Sequence, residues 1–125
     1  ISNRVRFLGW REDTPALLSA ADVFFCSSRH EPLGNIVLEA WAQGVPVVAA
    51  ASQGPSQLIE DGKTGLLAPV DNAKELSRAI ARLLDDPSLG QEITGHAHAE
   101  FTDKYSEGPV VAAYQEFFEK IRQTS

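Results

Sequence analysis

Two carboxylates, Glu31 and Glu39, flank a run in which a loop gives way to an apolar helix: Ser27-Ser28-Arg29-His30-Glu31-Pro32-Leu33-Gly34-Asn35-Ile36-Val37-Leu38-Glu39-Ala40. Each residue type here can do chemistry. A helix that begins at about Leu33 to Asn35 leaves its first backbone N–H groups without internal acceptors, and its dipole adds a partial positive charge, so its end suits a diphosphate. Gly34 has no side chain and lets an anion approach the backbone. Glu39 sits among Ile36, Val37, Leu38, Ala40 and Trp41, which predicts a mostly buried helix. A carboxylate inside it needs donors, and the paired hydroxyls of a ribose would supply two. At ~1.5 Å rise per helical residue, Glu31 and Glu39 lie on the order of 10 Å apart. That is the reach from a ribose, across a pyrophosphate, to the sugar of a sugar nucleotide. Taken singly, Glu39 also fits a helix carboxylate paired with an arginine, and Glu31 a solvated loop residue. Their joint arrangement is the stronger signal.

The elements that must position these residues alternate. Val5-Arg6-Phe7-Leu8 reads as a strand ending at Gly9. Thr14 as N-cap and Pro15 at the first helical position open a helix with Leu17, Leu18 and Ala21 on its apolar face. Val23 to Cys26 has no polar alternation, as in a strand covered on both faces. The helix over 36–43 closes at Gly44, with Pro46 beyond, and Val47-Val48-Ala49-Ala50 is the next strand. A short helix from Gly54 through Ile59, a turn at Asp61-Gly62, and a strand over Thr64 to Ala68 follow. Three helices complete the chain. The first has Asn72 and Glu75 as a capping box and the stripe Leu76, Ile80, Leu83, Leu84. Asp86-Pro87 breaks it, and Ser88 with Gln91 is expected to cap the second. The third, about 107–122, carries Val110, Tyr114, Phe117, Phe118 and Ile121 on one face.

Strand–helix units with short connections predict an α/β fold, a Rossmann-like doubly wound parallel sheet with right-handed crossovers. In such sheets ligands bind outside the carboxyl ends of the strands, where the Glu31 loop begins. No βα unit precedes the first strand, so the sheet is expected to be truncated at its N-terminus. The 125 residues amount to one domain, 1–125, and 43% hydrophobic and 22% charged residues are enough to build a core.

Composition also excludes. A net charge of −6 argues against a nucleic-acid partner. The apolar runs fall short of the ~18–20 residues that span a membrane, and no signal peptide is visible. The single cysteine, Cys26, in an apolar run, is expected to be a buried free thiol, consistent with a reducing cytoplasm. The three histidines lack metal-ligand spacing, so no metal site is expected.

The loop and helix resemble the E-x7-E signature of retaining GT-B glycosyltransferases, most closely glycosyltransferase family 4. The likeness continues through Leu38-Glu39-Ala40-Trp41-Ala42-Gln43-Gly44-Val45-Pro46-Val47-Val48-Ala49. It resumes at Glu60-Asp61-Gly62-Lys63-Thr64-Gly65-Leu66-Leu67 and at Leu83-Leu84-Asp85-Asp86-Pro87. The resemblance implies the C-terminal half of a GT-B fold, a partial nucleotide-sugar-binding domain. It implies that Glu31 is the catalytic-centre carboxylate, bonded to donor-sugar hydroxyls beside the reacting carbon, and that Glu39 binds the ribose. Leu33, Gly34, Asn35 and Ile36 would offer backbone N–H groups to the pyrophosphate and sugar, and Trp10 would lie near the base. The implied reaction is metal-independent and needs no cofactor: transfer of a hexose from a nucleotide-diphosphate sugar to a glycan or lipid-linked acceptor. Acceptor and any membrane contact would belong to the missing N-terminal domain, in the cytoplasm or at the inner face of its membrane. The fragment alone would be inactive. Ala49 to Ser56 also resembles bacterial lipopolysaccharide-core transferases. The sequence departs from the family where paired glycines and a Glu often follow the third strand: here stand Ser52-Gln53-Gly54-Pro55-Ser56-Gln57. A sugar-nucleotide 2-epimerase of the same architecture, or a non-catalytic Rossmann-like binding module, are the competing readings.

Overall fold

A computed structural model describes residues 2–124. Three parallel strands, β1 (Phe24–Cys26), β2 (Val47–Ala50) and β3 (Leu66–Ala68), form one sheet in the order β1-β2-β3. Cys26 pairs with Ala49, and Ala49 with Leu67. The helices are α1 (Thr14–Ser19), α2 (Asn35–Ala42), α3 (Gln53–Leu58), α4 (Ala73–Asp85), α5 (Pro87–Glu100) and α6 (Glu107–Thr124). A π-helical turn, Phe101–Tyr105, joins α5 to α6. The α/β, Rossmann-like architecture expected from the sequence is present.

The strand β2 is wholly buried, as its four apolar residues require. Val47 and Ala49 face a cluster built with Leu18 of α1 and Val37, Ala40 and Trp41 of α2. Val48 faces the other way, onto Leu83 of α4 and Ile93 of α5. Each such buried aliphatic side chain contributes about 1.5–3 kcal/mol. Cys26 is buried and free, as expected, and its Sγ lies 3.4 Å from Ser28 Oγ.

Several sequence expectations change. Val5 to Leu8 do not form a strand: Val5, Phe7 and Leu8 are exposed, Phe7 almost fully. A strand requires a backbone partner, and the described strands pair only with one another. β1 is not covered on both faces: Phe25, the register partner of Val48, is exposed and lies outside the cluster that α4 and α5 build over Val48. Thr14 is inside α1 rather than capping it. Asp13 takes the cap position, without a cap bond, since Arg11 holds its carboxylate at 2.7 and 2.5 Å. Asp86, not Ser88, caps α5, accepting from the Leu89 N–H at 3.0 Å. Pro87 suits the first helical position, which leaves the residue before it to cap. Asn72 caps α4 as expected, accepting from the Glu75 N–H at 3.0 Å. Leu84 is exposed and leaves the α4 stripe. α6 forms, but none of its residues is buried and its apolar face does not pack on the sheet.

The turn into β3 shows why its residues are those types. Thr64 Oγ1 accepts from the Glu60 N–H at 2.9 Å, and Asp61 Oδ1 accepts from the Leu67 N–H at 2.9 Å. These side chains close the turn, and Gly62 supplies its left-handed residue (φ 80°).

Candidate functional site

The loop that carries Glu31 leaves the carboxyl end of β1 and enters α2 at Asn35. Gly34 occupies the N-cap in a left-handed conformation, φ 74°. The Glu31 side chain turns back on that end: its Oε1 accepts the Gly34 N–H at 3.0 Å. This divides the backbone donors predicted for the site. The Gly34 amide orients Glu31, while Oε2 receives no bond from the described residues. Asn35 and Ile36 are the first helical residues, whose N–H groups have no acceptor within α2. Leu33 is exposed, and Asn35 faces solvent.

The loop is held from a second side. The Gly54 N–H donates to the Glu31 carbonyl at 2.6 Å. The two backbones touch so closely that a Cβ on Gly54 would lie 2.3 Å from Gly34 N and 2.7 Å from Glu31 O. The sequence places Gly54 at the start of a short helix and in the segment where the family often has paired glycines. Its close contact with the Glu31 loop joins residues that only the fold brings together.

Glu39 is exposed, which corrects the burial expected from its apolar neighbours. The reason is helical phase. Val37, Ala40 and Trp41 are the buried positions, at i, i+3 and i+4, so a residue two beyond Val37 faces outward. No described residue donates to the Glu39 carboxylate. It lines two shallow clefts. One, of 350 Å³, is shared with Thr14, Pro15 and Leu18 of α1. The other, of 300 Å³, is shared with Asn35, Leu38 and the π-turn residues Phe101 and Tyr105. The π turn, which the sequence reading missed, thus supplies one wall beside Glu39. Trp10 is 92% exposed and belongs to neither cleft. Glu31, Asn35, Ile36 and Glu39 therefore follow one another along the outer side and leading end of α2, with Trp10 in neither cleft; Gly34 is buried against Gly54 and Leu58, so the space its missing side chain leaves is taken by the protein and not open to an anion.

Arg29, two residues before Glu31, reaches the β3–α4 loop, where its Nε lies 2.5 Å from Asp71 Oδ1. A cleft of 230 Å³ beside this pair is lined by Ser27, Ala50, Pro69, Asp71 and Asn72, at the carboxyl ends of all three strands. Donating this hydrogen bond to the Asp71 carboxylate raises the Arg29 guanidinium above its ordinary value. A larger cavity, 830 Å³, lies at the opposite end of the sheet, between Asp22, Pro46 and the α4–α5 junction. It gathers neither Glu31 nor Glu39. Among the described residues, no cluster of three or more His, Cys, Asp or Glu could hold a metal ion, and no helix is long and apolar enough to cross a membrane.

A family model described as glycosyl transferases group 1 matches residues 1–86. The lipopolysaccharide core biosynthesis glycosyltransferase LpsE of Rhizobium meliloti is 43% identical over 91% of this chain and 34% of its own length. LpsD of the same organism, which carries the same description, is 34% identical over 96% of this chain and 35% of its own length. Anabaena HepE, solved with UDP, superposes with a TM-score of 0.88 at 33% identity, covering 98% of this chain and 33% of that one. HepE has also been solved with UDP-glucose. The chain therefore spans about a third of the length of the relatives it matches.

Proposed function

The chain belongs to the group 1 glycosyl transferases, and from that premise we propose that it is the donor-binding part of a retaining, family 4 enzyme that moves a hexose from a nucleoside-diphosphate sugar to a glycan or lipid-linked acceptor. The observation that carries this reading is the order of groups along α2. A carboxylate fixed by a backbone amide, two first-turn N–H groups without helical acceptors and a second, unengaged carboxylate follow in sequence. That order matches sugar, diphosphate and ribose. The HepE complexes with UDP and UDP-glucose support a ligand of this class, and the LpsE and LpsD likenesses support lipopolysaccharide core synthesis as the setting.

In the proposed reaction the bond from the anomeric carbon to the diphosphate breaks, negative charge gathers on the departing diphosphate, and the acceptor oxygen bonds to that carbon as its hydroxyl proton passes to the diphosphate. The Asn35 and Ile36 amides, with the α2 dipole behind them, stabilise that charge, each charged hydrogen bond contributing roughly 1.5–3 kcal/mol. Glu31 Oε1 stays on the Gly34 amide while Oε2 accepts from a sugar hydroxyl, so the carboxylate meets the sugar already oriented. Glu39 accepts from the ribose. No step of this scheme uses a metal or cofactor. The acceptor and any contact with the cytoplasmic face of a membrane fall to segments beyond this chain.

The test is an amide NMR titration of the chain with UDP, GDP and ADP, repeated on Glu39→Ala. The reading expects shifts at Gly34, Asn35, Ile36 and Glu39 with one base preferred, lost in the variant. Shifts elsewhere, or shifts that survive Glu39→Ala unchanged, refute it.

A further inference from the structure

All three loops that leave the carboxyl ends of the sheet converge on one short segment. The β1–α2 loop carries Glu31 itself. α3, which follows β2, holds the Glu31 carbonyl through the Gly54 N–H. The β3–α4 loop holds Arg29 through Asp71. The first two ties are backbone or belong to the carboxylate, and the third is a pair of side chains 42 residues apart in sequence. Asp71 is also the one non-glycine residue with positive φ among those described, at 60°. A left-handed aspartate is a strained choice, tolerated because its short polar side chain can bond locally. Here the side chain spends that capacity on Arg29. Outliers of this kind gather where a functional geometry is being enforced. Neighbouring Asn72 already caps α4, so helix capping does not explain Asp71.

We propose that the Arg29–Asp71 pair is a positioning device for Glu31: it pins the loop two residues upstream of the carboxylate to the β3–α4 loop and so fixes where Glu31 meets the donor sugar. This rests on the donor-site reading of Glu31. The pair acts through the loop and does not touch the donor. Exposed ion pairs add little to global stability, and both side chains here are more than half exposed. The effect is therefore local.

The test compares Arg29→Gln, Asp71→Asn, the double variant and Arg29→Lys. Asn keeps the tolerance for positive φ and removes only the charge. In this chain, amide hydrogen exchange at Gly34 and Gly54 should accelerate about three- to fivefold in each of the first three variants, the scale of one exposed pair. Exchange at Val48, in the core, should not change, and Arg29→Lys should recover most of the protection. In the full-length enzyme, kcat should fall roughly tenfold, as a sub-ångström misplacement would produce, with KM for the nucleotide sugar nearly constant and the double variant no worse than either single. Unchanged exchange at Gly34 and Gly54 overturns the proposal, as do additive losses in the double variant. A loss of UDP affinity in Arg29→Gln but not in Asp71→Asn also overturns it, because Arg29 would then contact the diphosphate directly. Glu31→Gln is the separate control. If it leaves transfer intact, the assignment of Glu31 fails and the functional part falls with it; if it abolishes transfer while the pair variants do nothing, only the pair's role is refuted.

Discussion

Gly54→Ala is the most direct perturbation of the candidate site, because the added methyl has nowhere to go. Its carbon would sit 2.3 Å from Gly34 N, 2.6 Å from the Leu33 carbonyl carbon and 2.7 Å from Glu31 O. All three atoms are backbone, so no rotamer change relieves the clash. Ordinary contact begins at about 3.4 Å, and the loop must therefore retreat by about 1 Å. Overpacking of this kind costs typically 1–3 kcal/mol. Loss of the 2.6 Å bond from the Gly54 N–H to the Glu31 carbonyl adds roughly 0.5–1.5 kcal/mol. The sum, about 1.5–4.5 kcal/mol, is a large part of the ~5–15 kcal/mol that holds a domain of this kind together. It corresponds to a fall in Tm on the order of 10 °C. A 1 Å displacement at Glu31 also costs on the order of 100-fold in a reaction that depends on its placement. Urea unfolding followed by circular dichroism measures the first effect, with the same m value expected for both proteins. The NMR positions of the Glu31 and Gly34 amides, and transfer by the full-length enzyme, measure the second. A Gly54→Ala protein within about 0.5 kcal/mol of the parent, the scale of an inconsequential surface change, with those two amides unmoved, would refute the packing argument.

Three further outcomes follow from the same geometry. Gly95→Ala lies in α5 with nothing within 4 Å of the new methyl, so it should stabilise the chain by about 0.5–1 kcal/mol in the same urea experiment. Asn72→Ala removes the side chain that accepts the Glu75 N–H and should cost about 1 kcal/mol of stability, recovered largely by Asn72→Asp. The hydrogen bond from Arg11 holds the Asp13 carboxyl below its ordinary value of 3.8. Its small contribution to stability is therefore present above that value and lost as pH falls through the lowered one. In Arg11→Gln, a carboxyl NMR titration should find Asp13 back near 3.8.

What the sequence made legible is what one-dimensional patterning records. β2 is four apolar residues directly after a proline, and it lies buried at the centre of the sheet. Gly44, just past α2, has the left-handed φ of 68° that a helix-ending glycine adopts. Asn72 and Glu75 mark the start of α4 through the spacing of a cap. The failures have physical causes. Counting apolar neighbours around Glu39 averaged over faces, whereas burial follows phase, and the buried set Val37, Ala40, Trp41 places Glu39 outside. Val5 to Leu8 has strand composition, yet strands form only against a partner edge. The π turn is a backbone hydrogen-bond pattern, closed by the Ser106 N–H on the Phe101 carbonyl, that no composition signals. The contacts of Gly54 with Glu31 and of Arg29 with Asp71 join residues brought together only by the fold.

The engagement of Arg29 has a bearing on how a ligand arrives. The chain carries a formal charge of −6, and the basic side chain two residues from Glu31 is already neutralised by Asp71. On the proposed donor-site reading, a diphosphate approaching the leading end of α2 would meet a net repulsion from the chain's charge until it comes within reach of the helix amides. Such fields act over about 8 Å at physiological salt and over about 30 Å in dilute buffer. For this chain, capture of an anionic ligand should become faster as salt is added, the reverse of proteins that draw phosphates in with a basic funnel. On that reading recognition would rest on contact, and the long-range charge would act only as a barrier to encounter.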